Sequence, residues 1–96
     1  MKALSSLWGV SLNNYAIVLN NYAIADDPST SPDVLDVLSH DTDPNIRCYV
    51  AENPSSSPET LVYLSRDTSI WVITNAVRNP SFPYGVWLYK RVRMFP

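Results

Sequence analysis

The chain has 96 residues and a mass of 10.8 kDa, with 46% hydrophobic and 17% charged residues, which suits one folded domain with a modest core. Its single cysteine, Cys48, excludes an internal disulfide framework and any all-cysteine zinc or iron–sulfur site within one copy. No apolar run reaches the roughly 18 residues of a membrane span, and a net charge of −2 argues against a dedicated nucleic-acid binder. The charge is unevenly placed. Residues 1–25 carry +1, residues 26–67 hold all nine acids and sum to −7, and residues 68–96 carry +4.

The chain opens on a segment in which Asn-Asn-Tyr-Ala-Ile occurs twice, at residues 13–17 and 20–24. A spacing of seven returns to nearly the same helix face, so Ile17 and Ile24 align with Leu12 and Leu19. Residues 1–24 are expected to form a degenerate N-terminal capping unit. A rival reading, a signal peptide with Ala23-Ile24-Ala25 as its cleavage site, is weakened by Ser5, Ser6, Asn13 and Asn14, which interrupt the apolar stretch. A cytoplasmic chain is therefore expected.

Residues 25–50 and 51–76 repeat one another at an offset of 26. Ala25, Pro28, Ser29, Ser31, Pro32, Leu35, Leu38, Ser39, Asp41 and Thr42 meet identical residues at 51, 54, 55, 57, 58, 61, 64, 65, 67 and 68. Asp27-Pro28, Asn53-Pro54 and Asn79-Pro80 keep the same interval a third time, after which the register slips by one residue. Each unit reads as two short helices. Ser31 and Ser57 are N-caps, Pro32 and Pro58 suit the first helical position, and Asp33 and Glu59 complement the dipole. Leu35 with Leu38, and Leu61 with Leu64, mark the buried face. His40 and Arg66 are read as cations at the helix end. The second helix starts near Asp43-Pro44 or Ser69, carries Ile46 and Val50 or Val72 and Ala76, and stops at Asn-Pro. Helices this short are marginal alone, so their apolar stripes must stack on neighbours. The expected fold is all-α, a short right-handed solenoid of about three repeats with capping ends.

The segment Ala-Glu-Asn-Pro-Ser-Ser-Ser-Pro-Glu-Thr-Leu-Val-Tyr-Leu-Ser-Arg-Asp at 51–67, its counterpart at 25–41, and Asn45-Ile46-Arg47-Cys48-Tyr49-Val50-Ala51 resemble the leucine-rich repeat variant family, over roughly residues 25–83. The resemblance implies paired short helices, one of them often 3₁₀, in a right-handed superhelix related to HEAT arrays, and no shared catalytic activity. Some family members carry a cysteine-ligated iron–sulfur cluster ahead of the repeats. That attribute does not transfer, because Cys48 lies inside a repeat. The family's arginine is kept at Arg47 and replaced by Ile73, and its asparagine is Asp27 in the first unit.

Residues 77–96 combine a partial repeat with aromatics and cations: Phe82, Tyr84, Trp87, Tyr89 and Phe95 beside Lys90, Arg91 and Arg93. Such a segment serves as a lid on the last unit, as a protein-binding end, or as a surface for nucleic acid or membrane. A Cys–His–Asp site from Cys48, His40 and Asp41 or Asp43 is disfavoured, since Arg66 stands where His40 is matched and Thr74 where Cys48 is matched. Asp41 and Asp67 read as turn residues. Gly9 and Gly85 are the only glycines, so no phosphate loop exists.

The expected role is a non-enzymatic protein-binding scaffold without a cofactor or metal, of the kind a bacterial or phage-encoded adaptor or inhibitor would use. Residues that differ between matched positions are the candidates for contact: Val37 with Tyr63, Arg47 with Ile73, and Asn45 with Trp71, with Tyr63 and Trp71 as hot spots. Trp87, Lys90, Arg91 and Arg93 add a second candidate surface at the basic end. The alternatives are a nucleic-acid-binding HEAT-like module using Arg78, Lys90, Arg91 and Arg93, and self-association between the acidic middle of one copy and the basic end of another.

Overall fold

A computed structural model describes residues 19–85. Every regular element among the described residues is helical. Residues 19–26 form the described part of α1; α2 is Pro32–Leu38, α3 Pro44–Glu52, α4 Pro58–Leu64 and α5 Ile70–Arg78. None of them is long and apolar enough to cross a membrane.

Local chemistry sets the boundaries. The Ser31 hydroxyl accepts from the Val34 N–H and the Ser57 hydroxyl from the Thr60 N–H, each ahead of a proline at the first helical position. Asp43 caps α3 by accepting from Asn45 N–H at 2.9 Å. Ser69 makes no such bond, and α5 begins instead from a turn in which Asp67 Oδ1 accepts the Ser69 N–H. Asp41 does the same for Asp43 N–H, so both aspartates act as turn residues. At the other end, α2 and α4 stop at Ser39 and Ser65, whose hydroxyls donate back to the Asp36 and Val62 carbonyls. His40 and Arg66 lie beyond these caps, outside the last helical turn, so they are not the dipole partners that their sequence position suggests.

The core follows the 26-residue offset. Ala25 with Ala51, Leu35 with Leu61, Leu38 with Leu64, Ile46 with Val72 and Val50 with Ala76 are all buried, and Phe82 closes the cluster. Among α2 to α5 the most extensive contact is between the second helices α3 and α5, with α2 and α4 packed against them. In α1 the inward residues are Tyr22 and Ala25, whereas Leu19 and Ile24 are exposed. The apolar stripe expected from Leu19 and Ile24 thus faces outward. Tyr22 replaces it, donating to Asp43 Oδ2 at 2.6 Å and meeting the Tyr49 ring edge-on at 5.6 Å.

Successive helix pairs are tied by asparagine rungs. An α-helix leaves its last four carbonyls without partners. The Asn53 amide donates to the carbonyls of Ala25 and Asp27 at the end of α1, at 2.9 and 2.8 Å. Asn79 repeats this on Ala51 and Asn53 at the end of α3, both at 2.8 Å. Each asparagine also accepts from the N–H two residues on, Ser55 or Ser81. The hydroxyls of the same serines donate to the Pro28 and Pro54 carbonyls of the preceding pair. One side chain therefore joins two helix ends and shapes its own turn.

The rungs stop at both ends of the described region. Asp27 accepts from Ser29 N–H but, as a carboxylate, has no amide to donate backwards. The next carbonyl in the series, Val77, receives the Tyr84 hydroxyl instead of an asparagine. Phe82 stands 26 residues after Ser56, whose hydroxyl bonds the Val50 carbonyl. The ring is buried there and packs against Tyr84 with centroids 4.9 Å apart.

Two stability measurements test the rungs. Asn79→Asp keeps size but loses both donated bonds. Although the Asn53 carbonyl keeps the Ser56 N–H, the buried Ala51 carbonyl loses its donor, a loss of about 3 kcal/mol from two bonds of ~1 kcal/mol plus the desolvation cost. Urea denaturation should show it, and an unchanged midpoint would refute the role. Tyr84→Phe removes one bond at the end of the series and should cost about 1 kcal/mol in the same assay.

Candidate functional site

A concavity of about 660 Å³ lies between the turn after α2 and the turn after α4. Its lining includes His40, Arg47, Tyr63, Arg66, Asp67 and Thr68. The floor is an ion pair. Arg47 reaches from α3 to Asp67 with Nε donating to Oδ2 at 2.8 Å and a second guanidinium nitrogen donating to Oδ1 at 3.1 Å. The third nitrogen donates to the carbonyls of Asp41 and Thr42 at 2.9 and 3.2 Å. The planar fork of arginine is what permits two parallel bonds to one carboxylate while the remaining donors reach the backbone.

These contacts shift both groups. Burial alone pushes the Asp67 carboxyl up, but the Arg47 bonds and the Ser69 N–H outweigh it and hold the carboxyl below its ordinary value. Arg47 is correspondingly raised, chiefly by its bonds to Asp67. On the neighbouring junction Asp43 is lowered, first by the Tyr22 hydroxyl and then by the Asn45 N–H. Burial raises the Cys48 thiol and so lowers its thiolate fraction, which makes it a poor nucleophile.

One wall of the groove is aromatic. The Tyr63 hydroxyl lies 3.0 Å from His40 Nδ1 and the two rings are tilted with centroids 4.5 Å apart. Tyr63 is 49% exposed, and Val37, one turn before His40, is 71% exposed. Past Thr68, the first turn of α5 presents Ile70 at 65% and Trp71 at 73% exposure. These large apolar side chains stand in solvent, whereas Leu35, Leu38, Ile46, Leu61, Leu64 and Val72 form the core.

The sequence candidates therefore separate. Tyr63 and Arg47 line one groove, but Arg47 spends its guanidinium on internal partners. Trp71 is exposed beyond the groove lining, and Ile73 is half-buried on α5. Asn45 and Arg78 are exposed. Trp87, Lys90, Arg91 and Arg93 lie outside the described residues. His40, Arg66 and Thr68 were not candidates, although their pairing in the repeat, His40 with Arg66 and Thr42 with Thr68, marks the turn that builds the groove. Ile70 was missed as well, since its matched residue is Pro44 and only exposure singles it out.

Comparison with family models, with curated proteins and with solved structures finds no match. Among the described residues no group of three or more His, Cys, Asp or Glu side chains is placed to hold a metal ion.

The ion pair makes a pH-dependent prediction. A carboxyl lowered by folding contributes stability above its unfolded value, and that contribution is lost as pH falls through the lower folded value. Stability should therefore decline below the ordinary Asp value of 3.8. Arg47→Leu should flatten the slope in this range, with Asp43 leaving a residual, and should cost about 3 kcal/mol at neutral pH because Asp67 stays buried without its counter-charge. Urea midpoints between pH 6 and 2 for both proteins measure the difference.

Proposed function

We propose that the chain is a binding scaffold for another protein, built as a short right-handed solenoid of the leucine-rich repeat variant type and without catalytic activity of its own. The observation that carries the reading is the exposure of Trp71, with Ile70, Tyr63 and Val37, on helices whose Leu35, Leu38, Leu61, Leu64, Val72 and Ala76 supply the core. Solvation opposes leaving such side chains in water, and Trp and Tyr are the residues that most often dominate binding energy when a partner covers them. The solenoid reading draws support from side chains that bond 26 to 28 residues back in the same pattern, Asn53 and Asn79 with Ser55 and Ser81. The family assignment rests on the same residues, since the rung asparagines are those of the Asn-Pro pairs that carry the resemblance.

A cytoplasmic setting fits this reading, because Ala25 is a buried core residue matched by Ala51 and needs no second explanation as a processing site. Small size and a surface concentrated on a few aromatics suit an adaptor or inhibitor that occupies a single patch on its partner.

A Tyr63→Ala, Trp71→Ala variant tests the proposal. Both side chains are exposed, so helical content and unfolding midpoint should change little. Affinity for a partner isolated with the wild-type chain from its native host should fall at least 30-fold, a loss of about 2 kcal/mol expected of one hot spot. Equal capture by the double variant would overturn the assignment of these residues.

A further inference from the structure

The outer surface of α2 and α4 combines exposed apolar side chains with carboxylates. Val34 and Val37 on α2 and Tyr63 on α4 are exposed apolar side chains. Asp33, Asp36 and Glu59 are exposed between them, and neither helix contains a Lys or Arg. The two helices are linked at their junction, where the buried Thr60 hydroxyl donates to Asp36 Oδ1 at 3.0 Å. Of the two cations in residues 26–67, Arg47 is committed to Asp67, and Arg66 lies past the end of α4. The surface thus alternates apolar side chains with carboxylates that no cation of its own helices neutralises.

The complementary pattern occurs once in the chain. Residues 86–96 contain Lys90, Arg91 and Arg93 with no acid, interleaved with Trp87, Leu88, Tyr89, Val92, Met94 and Phe95. We propose that the outer face of α2 and α4 receives residues 86–96 of a second copy of this chain. Apolar side chains would then cover Val34, Val37 and Tyr63, while the cations meet Asp33, Asp36 and Glu59. Reciprocal exchange about a two-fold axis fills both faces and uses both basic segments, so the assembly closes as a dimer with no open edge. The attraction is between exposed charges and weakens as salt shortens the screening length from about 30 Å at 0.01 M to about 4 Å near 0.5 M. The inference uses the same scaffold as the proposed function and shares Tyr63 with it, but it is tested on the purified chain alone, so either can fail without the other.

The experiment is sedimentation or light scattering of the full chain from 5 to 500 µM, at 20 mM and at 500 mM NaCl. The expected result is a dimer at low salt that dissociates at high salt. Asp33→Lys with Glu59→Lys reverses the face, and Lys90→Glu with Arg91→Glu and Arg93→Glu reverses the basic segment. Each variant alone should be monomeric at low salt, and an equimolar mixture should recover the dimer mass, because each face again meets a segment of opposite charge. Val37→Ala with Tyr63→Ala leaves the charges intact and should weaken association at least tenfold. Circular dichroism confirms that each variant keeps its helices. A monomer at every concentration in low salt, which includes docking of residues 86–96 on their own chain, would overturn the proposal. So would a dimer indifferent to both charge reversals, or a mixture that stays monomeric.

Discussion

The structure depends on one side chain used twice. Short helices expose a large proportion of unpaired carbonyls, and a helix of nine residues has almost as many orphan acceptors as internal bonds. Asn53 and Asn79 convert that liability into the joint between neighbouring helix pairs, each reaching back to two carbonyls at the end of the previous second helix. An amide side chain is suited to this because it carries donors and an acceptor together: the NH₂ serves the preceding pair and the oxygen holds the following turn through Ser55 or Ser81 N–H. Aspartate matches it in shape but lacks the donors, which is why Asp27 can shape its turn and no more.

A series of such joints needs an end. At the far side the carbonyl of Val77 is satisfied by Tyr84, and Phe82 fills with an apolar ring the place where Ser56 has a hydroxyl. Both substitutions fall where the register slips after Ser81, so the departure from periodicity has a physical content. A residue that continues the series must offer an amide to the pair before it and leave its own helix end open to the pair after it. A residue that ends the series must close that helix end from within, and the phenol hydroxyl does so over a separation of seven residues.

The repeat made the local structure legible, because each of its signals is carried by chemistry near in sequence. Serine before proline gives the caps of α2 and α4, leucines three apart give their buried face, and Asn-Pro gives the ends of α3 and α5. The contacts that assemble the molecule were not legible in the same way. The partner of Asn53 lies 28 residues back and that of Arg47 20 residues ahead, and nothing in the local pattern distinguishes a donor aimed at a neighbouring helix from a turn-former. His40 was misread for a related reason. Its position after Leu38 suggests a dipole partner, but Ser39 ends the helix first, and the ring turns to Tyr63 of the next pair. In α1 the doubled Asn-Asn-Tyr-Ala-Ile motif suggested an aliphatic stripe, whereas the hydrogen bond from Tyr22 to Asp43 orients the helix with Ile24 outward.

Variation between repeats has two different meanings in this chain. At Val37 and Tyr63, or Asn45 and Trp71, the side chains face solvent, so a change in identity costs the fold little and leaves the surface free to specialise. Arg47 and Ile73 also differ, yet for an internal reason: Arg47 has an acid to reach in the turn of the following pair, and both ends of that ion pair are mostly withdrawn from solvent. A buried pair of this kind is costly to break from one side only, so Asp67 constrains the arginine. Asp33 and Glu59 show the opposite case, acids repeated at matched positions that stay exposed. A negative charge in the first turn of α2 and α4 is favourable to the helix whether or not anything binds to it. The fold therefore maintains an acidic outer face at no cost to its own stability, however far the aromatic positions beside it diverge.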